Sequence, residues 1–135
     1  METAKFKLDN YVFTKAELDF GGHRTQNLTL DFEPYGLFNV VGKKYELNIL
    51  FTAKDTEGNI IVSVHCKAFY SFKNVEKLKD IPTYFYANSI AIIFPYIRAF
   101  VSTLTLQANI PPIVLPTLNF SKLETVLEKN TKEIG

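Results

Sequence analysis

Apolar and polar residues alternate along the first half of this chain. Past Phe72 the apolar ones recur instead in steps of three and four. Between Phe6 and Phe20, the residues Val12, Thr14, Ala16, Leu18 and Phe20 keep period two, which predicts a strand; Phe13 falls on the other face, and the uneven register near Tyr11 predicts a bulge. Gly21-Gly22-His23-Arg24 breaks the run as a connecting loop. Leu28, Leu30 and Phe32 alternate with Thr29, Asp31 and Glu33, a second strand that Pro34 is expected to end. Pro34 to Gly42 then reads as an irregular crossing that carries Tyr35, Leu37, Phe38 and Val40.

The clearest hairpin begins with Tyr45, Leu47, Ile49, Phe51 and Ala53 and turns at Asp55-Thr56-Glu57-Gly58-Asn59, with Gly58 where a positive φ is needed. Its return strand places Ile60, Val62, Val64, Cys66, Ala68, Tyr70 and Phe72 on one face. Ile61, Ser63, His65, Lys67, Phe69 and Ser71 lie on the other. A slip of one residue would exchange these faces, so the register is strongly specified.

Ile93, Ile97, Phe100, Val101 and Leu104 follow helical steps, and Ile90, Phe94 and Leu106 widen the stripe beyond what one sheet covers. A helix starting between Pro82 and Pro95 is expected, with Pro95 at a first turn or a kink because it has no amide hydrogen to donate. A second subunit is the expected cover for the surplus. Subunit contact is therefore assigned to Ile60, Val62, Val64 and Cys66 of the return strand and to Ile97, Phe100, Val101 and Leu104 of the helix. Ser121-Lys122-Leu123-Glu124 has capping-box spacing and opens a last helix with Leu123, Val126 and Leu127 on one face. From Lys129 onward the tail is polar and is expected to fray.

Between the two helices, Ile110-Pro111-Pro112-Ile113-Val114-Leu115-Pro116-Thr117-Leu118 is a loop that is apolar instead of polar. Its prolines keep it extended with few amide donors, so it can line a groove without leaving many hydrogen bonds unmade. The residues assigned to contact with a bound partner chain are Ile110, Ile113, Val114, Leu115, Leu118, Phe120, Leu123 and Leu127.

Composition bounds the rest. Residues 1–135 are read as one domain with a single core. With Phe 12 and Tyr 7, the aromatic area exceeds what that core requires, which points to an interface or a binding surface. A net charge of +1 supplies no field for gathering nucleic acid or anionic lipid. The longest apolar stretch, Ile90 to Val101, is interrupted by Pro95 and Arg98, so no membrane insertion is expected. One cysteine excludes an internal disulfide and fits a reducing cytoplasm, and the first residues lack the apolar core of a signal peptide.

No catalytic or cofactor-binding constellation stands out, and no enzymatic activity is expected. His65 and Cys66 are neighbours on a strand and so point to opposite faces; Cys66 reads as a small buried hydrophobe. His23 and His65, the two histidines, have no zinc-type spacing. Gly21-Gly22 lacks the further glycines and following helix of a phosphate loop. Asp9, Glu17 and Asp19 form an acidic strip on the first strand, read as a solvated face.

Phe94-Pro95-Tyr96 with Arg98, then the proline-bearing apolar loop, then Asn119-Phe120 with Leu123 resemble the carboxyl-terminal half of the SecB family of export chaperones. The resemblance extends over nearly the whole chain, including the opening strand, the crossing segment and the Tyr45-Glu46 hairpin. It implies an α+β fold, a four-stranded antiparallel sheet with two C-terminal helices packed against it, assembling as a dimer of dimers. It further implies an ATP-independent chaperone that holds unfolded or precursor polypeptides in apolar grooves. The chain departs from the pattern in three places: Pro116 is followed by Thr117, the charge is near neutral, and the tail has no acidic run. Ser63 stands where one acid that docks the translocation ATPase SecA is found in well-studied members. The downstream partner implied is therefore SecA with a weakened handoff, or a toxin–antitoxin pair served by a dedicated chaperone. A small apolar-ligand binding domain is the alternative from another class.

Overall fold

A computed structural model describes residues 3–21, 27–116 and 119–135. Five strands and two helices follow one another as β1 (Lys5–Leu18), β2 (Thr29–Asn39), β3 (Lys44–Lys54), β4 (Ile60–Lys73), α1 (Thr83–Gln107), α2 (Phe120–Lys129) and β5 (Thr131–Ile134), with one 3-10 turn at Leu78–Asp80 before α1. The sheet order is β1-β4-β3-β2-β5. Four strands pair antiparallel, as the family resemblance implies. The fifth, β5, lies parallel on the outer edge of β2, so the sheet is mixed and five-stranded, not four-stranded and antiparallel.

β1 holds its place through two register shifts, at Leu8/Asn10 and Phe13/Lys15. Each inserts one residue and so reverses the parity of the residues after it. Phe6, Leu8, Tyr11 and Phe13 thereby all reach the core side, and Val12 is left 42% exposed on the opposite one. The strict period two through Val12 and Thr14 does not hold, because the bulges outvote it.

Pro34 does not end β2. The amides of Gly36 and Val40 point away from β3, donating to Asn130 O at 3.2 Å and Ile134 O at 3.0 Å. Pro34 is in phase with both, so its missing N–H faces the outer edge and no β2–β3 bond is lost. The crossing segment is therefore regular strand up to Asn39. The tail does not fray either: Asn130 Nδ2 donates to Pro34 O, and Thr131 is buried. The Thr131 hydroxyl donates to Leu127 O at 2.7 Å and accepts from the Tyr45 hydroxyl at 2.7 Å. Tyr45 passes directly beneath Gly36, where any Cβ would fall on its hydroxyl.

The hairpin turn forms as expected. Gly58 has φ 86°, and the Asp55 carboxylate accepts from the amides of Glu57 and Asn59. Beyond the turn, the face of β4 carrying Val62, Val64, Cys66, Ala68 and Tyr70 is at most 2% exposed. α1 covers this side of the sheet with Phe85, Ile90, Ile93, Ile97 and Val101, joined by rings packed edge to face such as Phe85 with Tyr45 at 4.8 Å. α1 starts at Thr83 and runs through Pro95, which sits on its exposed side, so the one missing backbone bond is absorbed without ending the helix. By length and composition α1 also qualifies as a membrane span, with a window of mean hydropathy 1.6. Its buried side is the core of this fold. α2 is capped by Asn119, not Ser121: the Asn119 side chain accepts from the Ser121 amide at 3.0 Å, as a good N-cap does.

Candidate functional site

Past Gln107 the chain reverses through Asn109, at φ 61°, and comes back along α1 without regular structure. Two hydroxyls of α1 hold it there. Thr105 Oγ1, wholly buried, accepts from the Ile113 amide at 3.0 Å, and Ser102 Oγ donates to the Ile113 carbonyl at 3.2 Å. With both backbone groups of Ile113 tied to the helix, the neighbouring side chains alternate in the manner of a strand. Ile113 and Leu115 point inward, at 9% and 0% exposure, and Val114 points out at 60%. Pro111, Pro112 and Pro116 are exposed and need no amide partners.

Next to this loop, α2 begins with Phe120 against Phe94, ring centres 5.6 Å apart. Phe94 in turn meets Phe32 of β2 at 5.9 Å, and Phe32 meets Phe51 at 5.0 Å. Phe94 is buried, while Phe32 and Phe120 on either side of it are half-buried. Leu30 and Leu123 share that partial cover, and Leu106, Val114 and Val126 are exposed. Half-buried rings, with exposed aliphatics at the end of α1, in the loop and on α2, offer apolar surface whose contacts are non-directional, so it suits apolar chains of varied sequence.

The structure divides the sequence-assigned client residues. Val114 is exposed; Ile110, Phe120 and Leu123 are half-buried. Ile113, Leu115 and Leu127 are interior and hold the loop and α2 in place, which leaves them little or no surface to offer a client. Leu118 lies outside the described residues. The subunit set divides likewise. Val62, Val64, Cys66, Ile97 and Val101 are taken up by this chain's own sheet–helix core, so their apolar face needs no second subunit to cover it. Phe100 and Leu104 are half-buried, with Phe100 stacked on Phe13 at 4.0 Å, and Ile60 is 51% exposed beside the hairpin turn. The aromatic run Phe32–Phe94–Phe120 was hidden from the sequence because its members come from three elements. The half-exposed Phe of a strand opposite a helix-opening Phe is the only signal it gives.

Burial pushes the Cys66 thiol up to about 12, so it stays protonated at neutral pH and is a poor nucleophile. His65 faces the other way, as strand geometry requires. Its Nε2 donates to Asn48 Oδ1 at 2.9 Å, and Asn48 Nδ2 donates to Glu46. Its pKa is lowered, first by burial and then by Lys67. Two members of the acidic strip on β1 are paired: Asp9 with Lys7 and Lys44, and Glu17 with Lys15. No group of three or more His, Cys, Asp or Glu side chains among the described residues could hold a metal ion.

Known proteins resemble this chain in sequence and in fold. Residues 33–129 match the family model described as SecB, preprotein translocase subunit SecB. The fold is similar to that of the Mycobacterium tuberculosis SecB-like chaperone Rv1957, solved in complex with a ChAD peptide from the Rv1956 HigA1 antitoxin. That match has a TM-score of 0.69 and 17% identity over 84% of this chain and 90% of that one. A protein of unknown function from Streptococcus agalactiae matches at a TM-score of 0.48 and 9% identity, over 86% of this chain and all of that one. An uncharacterized protein of Methanocaldococcus jannaschii is 50% identical over 50 residues, a stretch that spans 34% of this chain and 32% of that protein.

Proposed function

This chain belongs to the SecB family, and from that premise we propose that it holds unfolded polypeptides without ATP, in the apolar strip between β2, α2 and the α1–α2 loop. One observation carries the reading: Phe32, Phe94 and Phe120 form a run of rings whose outer members are half-buried, and the extended loop that leads into α2 turns Val114 to solvent. Each client side chain fully buried there contributes about 1.5–3 kcal/mol, so several weak contacts suffice for holding. The test is binding of a fluorescently labelled unfolded polypeptide, read by anisotropy. Phe120→Asp together with Val114→Asp should weaken it by about tenfold or more, and an unchanged affinity in a folded double variant would refute the site.

The pairing of Asp9 and Glu17 with lysines, together with Ser63 on β4, favours a chaperone dedicated to a particular client over one that hands clients to SecA. Rv1957, whose fold is similar, was solved with an antitoxin peptide. A toxin–antitoxin pair is the dedicated client proposed, and a SecA docking assay at low salt decides: tight binding would restore the export role.

Assembly is the second part of the proposal. Tyr84, Asn88, Ile92, Pro95, Ala99, Thr103 and Leu106 are all exposed on one stripe of α1, and none is charged. That spacing is of the kind through which helices pack along their length. A homo-oligomer joined through this stripe is the expected state, with the cytoplasm as its compartment, where a buried thiol such as Cys66 stays reduced. Light scattering at micromolar concentration tests it, and a monomer would contradict it.

A further inference from the structure

The α1–α2 loop is held by its backbone as well as by its side chains. The Ile110 amide donates to Thr105 O at 3.3 Å and the Ile113 amide to Thr105 Oγ1 at 3.0 Å, while the Ile113 carbonyl accepts from Ser102 Oγ at 3.2 Å. In an extended chain the N–H and C=O of one residue share a side, and those of the next residue take the opposite one. Both backbone groups of Ile113 face α1, so both backbone groups of Val114 face away from it. Neither has a partner among the described residues, and Val114 is 60% exposed.

The other positions on that side of the loop have no amide to offer. Pro112 and Pro116 stand in phase with Val114 and lack an N–H, and the Ile110 amide is already bonded to Thr105. The side turned from α1 is thus a strand edge with a single donor. Prolines blunt an edge against pairing with other strands. Here they leave one position open, between two interior residues, Ile113 and Leu115. Those two anchors fix the segment before anything binds, so pairing at Val114 requires no ordering of the loop.

We propose that Val114 takes an extended client segment through a pair of main-chain hydrogen bonds. Its amide donates to a client carbonyl, and its carbonyl accepts from a client amide. A helical segment bonds its backbone internally and has neither group to give; an extended one has both. Chain conformation, as well as apolarity, therefore selects what is held. This rests on the client-holding reading and deepens it by stating the conformation in which the client is bound.

The test is anisotropy with two labelled apolar peptides of one sequence, the first unmodified and the second N-methylated along its apolar stretch. Each is titrated with the wild-type chain and with Val114→Pro. N-methylation keeps the side chains, removes the amide donors and sets a methyl where the paired strand would lie. Val114→Pro keeps an apolar side chain and removes the loop's donor without breaking a bond within the chain; circular dichroism checks its fold. The wild type should bind the unmodified peptide about two- to tenfold more tightly, as one or two net main-chain bonds give. Val114→Pro should remove most of that preference, because the two changes delete the same contact. Equal binding of both peptides by the wild type overturns the pairing and leaves client holding in place. So does an equal loss for both peptides in Val114→Pro. A smaller oligomer in Val114→Pro with client affinity kept would assign the edge to a second copy and likewise overturn it. Binding of neither peptide removes client holding itself, and the pairing with it.

Discussion

β4 and the loop from Ile110 to Pro116 are both apolar runs that alternate inside and outside, yet they serve different ends. In β4 the inward members from Val62 on are buried, and the outward face is mixed: the polar Ser63, His65, Lys67 and Ser71 alternate there between the apolar Ile61 and Phe69. The loop keeps the same alternation, with Ile113 and Leu115 inside, but its outward side chain is again apolar, Val114. A strand flanked by other strands satisfies its backbone in the ladder and can present polar groups on its far face. Among the described residues the loop's backbone is held by Thr105 and Ser102, and prolines stand where donors would be unsatisfied. The two runs therefore differ on the outer side, and there binding is read.

The largest expected effect falls on the strand. Val64→Asp would put an unpaired carboxylate at a site 1% exposed, so it should unfold the chain, costing more than about 4 kcal/mol by urea denaturation. A cooperative transition near the wild-type midpoint would break the assignment of β4 to the core. Leu115→Ala comes next. If the loop is core on its inner side, it should cost about 2–5 kcal/mol, as cavities do. A loss below about 0.5 kcal/mol with weakened client binding would instead restore Leu115 to the client surface.

Gly36→Ala tests the seam where β5 joins β2. The new methyl would collide with Tyr45, so about 1–3 kcal/mol should be lost, together with amide protection of Asn130 to Ile134. Unchanged hydrogen exchange there would mean that Tyr45 shifts freely. Val114→Asp is the mirror of Val64→Asp. At an exposed position it should move stability by no more than about 0.5 kcal/mol while lowering client affinity. The two aspartates together sharpen the comparison, since the same change on the two runs should give opposite readouts.

The smallest effect is in pH. The His65 pKa is lowered in the folded chain, so folding favours the neutral ring. Its contribution is present above the unfolded value near 6.5 and is lost as pH falls through 6.5 toward the lower folded value. His65→Gln should flatten that part of the stability profile, and an unaltered profile would assign the change to other groups.

Much of this was legible in the sequence. Period two located β3 and β4 to within a residue or so, because both are central strands with one face fully buried and a turn marked by Gly58. Edge elements were harder to read. β1 conceals two register shifts, and β2 tolerates Pro34 only because its imide faces outward, which no local pattern reveals. β5 is four residues long and polar, and its pairing depends on Tyr45 and Asn130, which lie far apart in sequence. In the candidate site, the loop stood out by its composition, but which of its residues face inward depends on Thr105 and Ser102. Hydroxyls within a helix carry no such label.

The central claim is that the chain keeps unfolded polypeptide in solution by apolar contact alone. Light scattering from a thermally unfolded substrate, with ATP omitted and this protein added at stoichiometric amounts, tests it most directly. The account predicts suppressed aggregation by the wild type and by Val64→Ile, and lost suppression by Val114→Asp with Phe120→Asp. Aggregation undiminished by the folded wild-type protein would contradict it.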